Sequence, residues 1–294
     1  MNLTIFTPTY NRAYTLSKLY NSLLEQTSKD FEWLIVDDGS TDDTESLVCM
    51  FCAENKIVIR YLKQENGGKH RAINRGVKEA NGRLFFIVDS DDSLPVNAVE
   101  RIIYYTKQIE DNPSFAGISG NRVFPDDSRI GGNVSYSTLD TDAVSIREKY
   151  GVKGDMAEVY KTVILQEYPF PEIDDEKFLS EGLVWSRIAM KYKLRYFNEG
   201  IYTCEYLQEG LTNSIRKHHR NSPKGTMLLF KNQMCNNQFG FRTHIRAAIN
   251  YWRYTINIPF KERDSSLRPA WWSFLFYPLG WFFYKLDLSK EKCL

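Results

Sequence analysis

The chain opens on short β-rich apolar runs that alternate with longer stretches whose apolar residues recur at helical spacing. Residues 3–7 read as a strand, 14–24 as a helix and 33–36 as a second strand. A helix opened by Asp42 and Asp43 follows, then a strand at 57–62, a helix at 69–80 and an apolar strand at 84–88. Strands joined through helices return to the sheet in parallel, so the pattern predicts an α/β fold with a doubly wound, mostly parallel sheet flanked by helices. Between residues 112 and 154 Pro, Gly, Ser and Asp recur, as in PDDSRIGGN, and the pattern assigns only a loop region suited to covering a substrate. Order resumes with a strand at 156–160, a helix at 181–191, strands at 194–197 and 201–206, and helices at 224–238 and 243–254.

Polar clusters stand where the first four strands end: TPTYN after the first, DDGS after the second, NGGK after the third and DSDD after the fourth. An open parallel sheet binds its ligands beyond those carboxyl ends, where loops converge and helix N-termini point inward. Four successive loops are therefore expected to face one crevice.

Charge narrows what that crevice holds. With 38 Lys and Arg against 37 Asp and Glu, the chain lacks the basic excess of a nucleic-acid binder, so an anionic ligand must be held by local charges. The five cysteines include one CxxC, Cys49 and Cys52, in a helix-like apolar stretch with no second pair nearby. That suggests reduced thiols rather than a disulfide framework or a structural zinc site. The start, MNLTIFTP, enters a strand pattern at once, so the expected compartment is the cytoplasm.

Carboxylates separated by one residue at a strand end, here Asp89 and Asp91 in FFIVDSDD, can offer oxygens to one divalent cation and to a ribose hydroxyl; a solvated turn cap is the alternative. A sugar nucleotide calls for such a cation, because its diphosphate departs with added negative charge that Mg²⁺ or Mn²⁺ stabilises. In Asp37-Asp38-Gly39-Ser40 one carboxylate can cap the next helix while the other reaches the crevice, where it could accept the imide N–H of uracil. Lys69, after Gly67-Gly68 and ahead of a helix, suits phosphate oxygens, with His70 and Arg71 beside it; an ordinary helix start is the competing reading.

TPTYNR, EQT, LIVDDGSTDDT, QENGGKHRAINRGVKEANG and FIVDSDDSLP resemble, in this order, the nucleotide-binding half of family 2 glycosyltransferases, over about the first hundred residues. The resemblance implies the GT-A (Rossmann-like) fold, a nucleoside-diphosphate sugar donor, UDP-linked by the reading of Asp38, a divalent cation (Mn²⁺ or Mg²⁺) and inversion at the anomeric carbon. It implies Pro8 and Tyr10 as nucleoside walls, Asp38 as the base-reading acid, Lys69 and Ser90 on the donor, and Asp89 and Asp91 as ribose and metal acids. Inversion needs a general base on the acceptor hydroxyl, and Glu181 in FLSEGLVWSRIA matches the family's helix-start acid. The usual acidic pair ending in Asp is absent there, which leaves Asp174, Asp175 and Glu176 as rivals. Asp155 is assigned to the acceptor, and YLQEGLTNSIRKHH to a loop closing over the donor with Arg216, His218 or His219 on diphosphate or metal.

The expected organisation is a catalytic domain over 1–220, with nucleotide-sugar binding to about residue 110 and the acceptor side and base over about 111–220. A C-terminal helical extension occupies 221–294. Its aromatic segment, 270–285, is too short and broken by Pro278 and Gly280 to span a bilayer. Either it packs on the domain or, flanked by Arg263, Arg268, Lys285 and Lys290, it anchors at the cytoplasmic face of a membrane, near a glycan or polyprenyl-diphosphate-linked oligosaccharide acceptor. Two other functions compete with transfer to such an acceptor in cell-surface polysaccharide synthesis. One is a sugar-nucleotide pyrophosphorylase, which needs a Gly-rich basic loop where TPTYNRAY stands. The other is an inactive transferase-like domain that only binds a partner.

Overall fold

The computed structural model describes residues 1–204 and 211–291, without the side chains of residues 211–214, 262, 290 and 291. It divides into two compact units, Met1–Phe170 with Arg187–Leu207, and Pro171–Ser186 with Gln208–Leu294. The chain runs β1 (Leu3–Thr9), α1 (Ala13–Leu24), β2 (Phe31–Asp37), α2 (Thr44–Glu54), β3 (Ile59–Lys63), α3 (Lys69–Glu79), β4 (Leu84–Ile87) and α4 (Ala98–Lys107). It continues with β5 (Phe115–Val123), β6 (Thr138–Thr141), α5 (Ser145–Glu148), β7 (Met156–Lys161), α6 (Thr162–Glu167), α7 (Gly182–Ala189) and β8 (Lys193–Thr203). Helices α8 (Leu211–Asn221), α9 (Pro223–Cys235), α10 (Phe241–Thr255) and α11 (Tyr277–Glu291) follow.

The eight strands form one sheet in the order β3-β2-β1-β4-β7-β5-β8-β6. The first four are parallel, as expected, and β5 pairs with β8 in parallel, while β7 runs antiparallel to both β4 and β5, and β6 antiparallel to β8, so among the described residues the sheet is mixed with four of its seven pairings parallel. β1 and β2 lie between helices on both faces and are buried along almost their whole length, as central strands with no solvated side are. α1 buries Leu16, Leu19, Tyr20 and Leu23 at helical spacing, and the Tyr20 ring stacks on Phe51 of α2 at 4.1 Å. On the other face α3 comes so close to β1 that a Cβ on Gly76 would stand 2.2 Å from the Phe6 ring.

One acid holds three parts of this core. Glu32 of β2 is fully buried, and its carboxylate accepts the Thr4 hydroxyl at 2.7 Å, the Asn81 N–H at 2.7 Å, the Asn81 amide at 2.9 Å and Arg60 at 3.3 Å. Burial alone would raise its pKa, but these donors favour the charged form and hold it below the ordinary glutamate value. Its stabilisation is fully present above pH about 4.3 and is lost as the pH falls through the lower folded value. Glu32→Gln is expected to cost about 1–3 kcal/mol near pH 7 by leaving a buried partner unmatched. Urea unfolding at several pH values reads the loss, and equal stability of variant and parent at neutral pH would refute it.

The stretch left as loop, residues 112–154, holds β5 and β6. β5 escapes the sequence pattern because Gly117 and Gly120 look like breakers. A Cβ on Gly117 would meet the Val159 carbonyl at 2.0 Å, and one on Gly120 the side chain of Ile201 at 2.6 Å, so both glycines are demanded by close packing inside a strand. The two strands expected at 194–197 and 201–206 are one, β8, as far as Thr203; residues 205 and 206 lie outside the described residues.

The second unit is helical, and its helices α9 and α10 fall where the spacing placed them. The loop expected to close over the donor is corrected in part: residues 211–221 are helix α8, and 205–210 lie outside the described residues. His219 of that helix is buried, with Nδ1 3.0 Å from the Thr226 hydroxyl and its ring against Phe230 and Tyr254; burial pushes its pKa down to about 4. It is a core histidine rather than a diphosphate ligand. Among the described residues no helix is long and apolar enough to cross a membrane.

Candidate active site

Strand order reverses between β1 and β4: β2 and β3 are added on one side of β1, β4 on the other. At such a switch the neighbouring loops part in opposite directions and leave a crevice beyond the carboxyl ends of the strands. The loops after β1 to β4 meet there, and each is bonded to the next.

After β1, Asn11 adopts a left-handed backbone (φ 52°), which asparagine tolerates better than most residues. Its N–H donates to the Ser40 hydroxyl at 2.8 Å, and its side-chain oxygen accepts the Thr41 N–H at 2.8 Å. Asp37, fully buried, caps the turn by accepting the Ser40 N–H at 2.7 Å and also takes the Tyr61 hydroxyl. Asp38 reaches the third loop: its carboxylate accepts the N–H of Gly67 at 2.9 Å, of Gly68 at 2.7 Å and the Gln64 amide at 2.8 Å. Gly68, at φ 97°, takes the backbone shape that turns this loop into α3.

From the start of α3, Lys69 spans to the end of β4, where its ammonium lies 2.6 Å from Asp89 Oδ1. Burial would raise the Asp89 pKa, but the Lys69 and Arg122 charges outweigh it and hold the carboxyl below its usual range. Tyr202 of β8, fully buried, latches the turn: its hydroxyl accepts the Asp89 N–H at 2.9 Å and donates to Asp92 Oδ2 at 2.6 Å. Arg122 of β5 lies over the Tyr202 ring at 4.2 Å. Asp92 is pushed up to about 6, by burial first and, against the Tyr202 hydrogen bond, by neighbouring Asp89 and Asp91. The Asp91 carboxylate, half-buried between them, takes no hydrogen bond from the described residues.

Pro8 is half-buried inside β1, opposite Val36 of β2, rather than in the loop after it; Tyr10 is exposed just beyond that strand and Ser90 buried in the turn after β4. Arg71 folds back to donate to the Gly67 carbonyl at 2.8 Å and so braces the loop that holds Asp38. Asp155 is exposed at the entry to β7. In the second unit Glu181 starts α7, its carbonyl accepting the N–H groups of Val184 at 2.9 Å and Trp185 at 3.1 Å. Of its rivals, Asp174 and Asp175 are exposed, whereas buried Glu176 caps α9 by accepting the N–H groups of Lys224 and Gly225, each at 2.7 Å. On α8 Arg216 is exposed, and His218 stacks on Phe178 at 5.1 Å, its pKa lowered by burial and by Lys217. Sequence reasoning passed over Asp92, Tyr202 and Arg122. A carboxylate inside DSDD could have signalled the first, but nothing local marks the other two.

Among the described residues no three His, Cys, Asp or Glu side chains form a ready metal cage. The acids of the β4 turn nevertheless fit Mg²⁺ or Mn²⁺ held jointly with a ligand. Such an ion needs only one or two protein carboxylates when phosphate oxygens and water complete its shell, and Asp91 offers an unengaged one.

This mixed sheet with its strand-end crevice is a GT-A fold. S. aureus TarS (residues 1–349, in complex with UDP-GlcNAc) superposes with a TM-score of 0.60 at 17% identity, over 95% of this chain and 79% of that one. The mannosyltransferase PcManGT of Pyrobaculum calidifontis, in complex with GDP-Man and Mn²⁺, gives 0.58 at 16% identity, over 98% and 75%. Residues 4–135, the stretch that carries all four strand-end loops, match the glycosyl transferase family 2 model. The GalNAc(5)-diNAcBac-PP-undecaprenol beta-1,3-glucosyltransferase of Campylobacter jejuni is 26% identical over 66% of this chain and 61% of its own length. An uncharacterized glycosyltransferase of Rickettsia felis is 40% identical over 33% of this chain, and the chain spans only 16% of that protein.

Proposed function

We propose that the protein transfers a sugar, with inversion, from a nucleoside-diphosphate donor, UDP-linked by preference, to a hydroxyl of a glycan or polyprenyl-diphosphate-linked oligosaccharide. The observation that carries this reading is the run of bonds Asn11–Ser40, Asp38–Gly67/Gly68 and Lys69–Asp89, which assembles four loops around one crevice and leaves the Asp91 carboxylate unengaged by the described residues. Nucleotide-bound neighbours with this fold and a relative named for a lipid-linked acceptor support it.

In this reading Pro8 and Tyr10 flank the nucleoside. Asp38 has three donors on a carboxylate with about four acceptor sites, which leaves one for a base N–H. Asp89, kept ionised by Lys69 and Arg122, accepts from the ribose, while Lys69 and the first turn of α3 add positive potential for phosphate. Asp91 holds the cation, which when bound neutralises charge on the departing diphosphate. Glu181 takes the proton of the acceptor hydroxyl.

A thermal-shift screen of UDP-, GDP- and dTDP-sugars, with and without Mn²⁺, tests this. One nucleotide class is expected to raise the melting temperature, more so with Mn²⁺, since a ligand at about 100 times its Kd adds about 2.7 kcal/mol to the folded state. Absence of both stabilisation and sugar release across all three classes would remove the basis of the proposal.

A further inference from the structure

Helix α11 is built inside out. The face it turns to the rest of the second unit runs through Gly280, Tyr284 and Asp287, the spacing at which a helix in water buries its apolar stripe. Gly280 lies so close to α10 that a Cβ there would stand 2.5 Å from Trp252 Cβ. The Tyr284 hydroxyl accepts the Asn257 amide at 2.8 Å. Asp287 is buried and ion-paired with Arg253 at 2.7 Å and Arg220 at 3.1 Å. The large apolar side chains point the other way: Leu279, Trp281, Phe282 and Leu286 are each 40% exposed or more, and Trp271 and Leu275 just before the helix reach 83% and 78%.

We infer that this face enters the interfacial layer of an anionic lipid bilayer, with α11 lying in the plane of the surface. At 15 residues the helix is about 22 Å long, too short for a hydrocarbon core of about 30 Å, so it lies on a bilayer rather than through it. Charge selects the occupant. Residues 240–294 carry nine Lys and Arg against four Asp and Glu, while the rest of the chain carries 29 against 33. The cations stand beside the rings: Lys285 Nζ is 5.5 Å from the centre of the Trp281 ring and the Arg268 guanidinium 5.6 Å from that of Phe260. Aromatic rings and cations at one level match the headgroup region, where the rings lie at the acyl boundary and the cations meet lipid phosphates. A second copy fits less well, because a twofold contact would set each basic patch against its own image. Arg263, taken from the sequence as a headgroup contact, is not one: it is buried and donates to the carbonyls of Thr255 and Ile258.

The inference does not depend on sugar transfer, and its test needs no turnover. The full chain is co-sedimented with phosphatidylcholine vesicles with and without phosphatidylglycerol. Binding is expected mainly to the anionic vesicles and to weaken with added salt. Trp281→Glu with Phe282→Glu should lower it at least about tenfold, since each removes a large apolar side chain from the lipid. Arg268→Glu with Lys285→Glu should abolish the preference for anionic lipid. Circular dichroism and the nucleotide-sugar thermal shift check that each variant is folded. Failure of the parent chain to bind anionic vesicles, equal binding by the folded variants, or a dimer in solution that the Trp281 variant dissolves without any vesicle binding would each overturn the inference.

Discussion

Asp91→Asn is expected to lower sugar transfer by about two to three orders of magnitude, because a lost metal carboxylate forfeits several kcal/mol of stabilisation on the departing diphosphate and each 1.36 kcal/mol is tenfold in rate. The fold should be untouched, since that carboxylate takes no hydrogen bond from the described residues. The Mn²⁺-dependent part of the donor's thermal shift should vanish, and the nucleoside part should remain. Asp89→Ala makes the contrast: it removes an ion-pair partner of Lys69 and a counter-charge from Arg122, so it should lower the melting temperature as well as the rate. Initial rates and melting curves for both variants decide the matter. An Asp91→Asn protein with parental rate and unchanged Mn²⁺ dependence would take the metal away from this turn.

The contrast rests on how the β4 turn is held. Its acids stand close together, yet Asp89 is neutralised by Lys69, and Asp92 is pushed up to about 6 and fixed by Tyr202. Asp91 is the one whose carboxylate the described residues do not engage.

How much of this was readable in advance follows from the range of the interactions. β1, β2 and β4 are buried runs, β3 a half-buried one, and each is followed directly by a cluster of Asn, Asp or Gly, so strand and site loop are written side by side in the chain. Within the second loop a capping carboxylate was legible but its target was not: Asp37 caps the Ser40 turn, where the sequence placed the cap on the next helix. Tyr202 could not be read this way: it meets Asp92 across 110 positions, and only folding brings β8 to the β4 turn. β5 was hidden for the opposite reason, since its glycines answer to Val159 and Ile201 on neighbouring strands while their local signal says turn. α4 was passed over beside the acidic turn, although Val99, Ile102 and Tyr105 line its buried face. In α8 the run IRKHHR reads as a polar loop, but cations in the last turn of a helix are favoured by its dipole, and His219 supplies a buried anchor.

On the acceptor side, Glu181→Gln should reduce kcat by about 10²–10⁴-fold, the usual worth of a general base, and leave the donor's thermal shift intact. Glutamine keeps the shape at the start of α7 but cannot take a proton. Glu176→Gln separates chemistry from scaffolding. Glu176 spends both oxygens on the N-terminus of α9, so its loss should cost about 0.5–2 kcal/mol of stability, the worth of a helix cap, and leave kcat within a few-fold of the parent. Asp174→Asn and Asp175→Asn complete the set, because both side chains are exposed and unconstrained by such a cap. If either of these abolishes turnover while Glu181→Gln retains it, the base lies in the segment before α7 and the helix-start assignment falls.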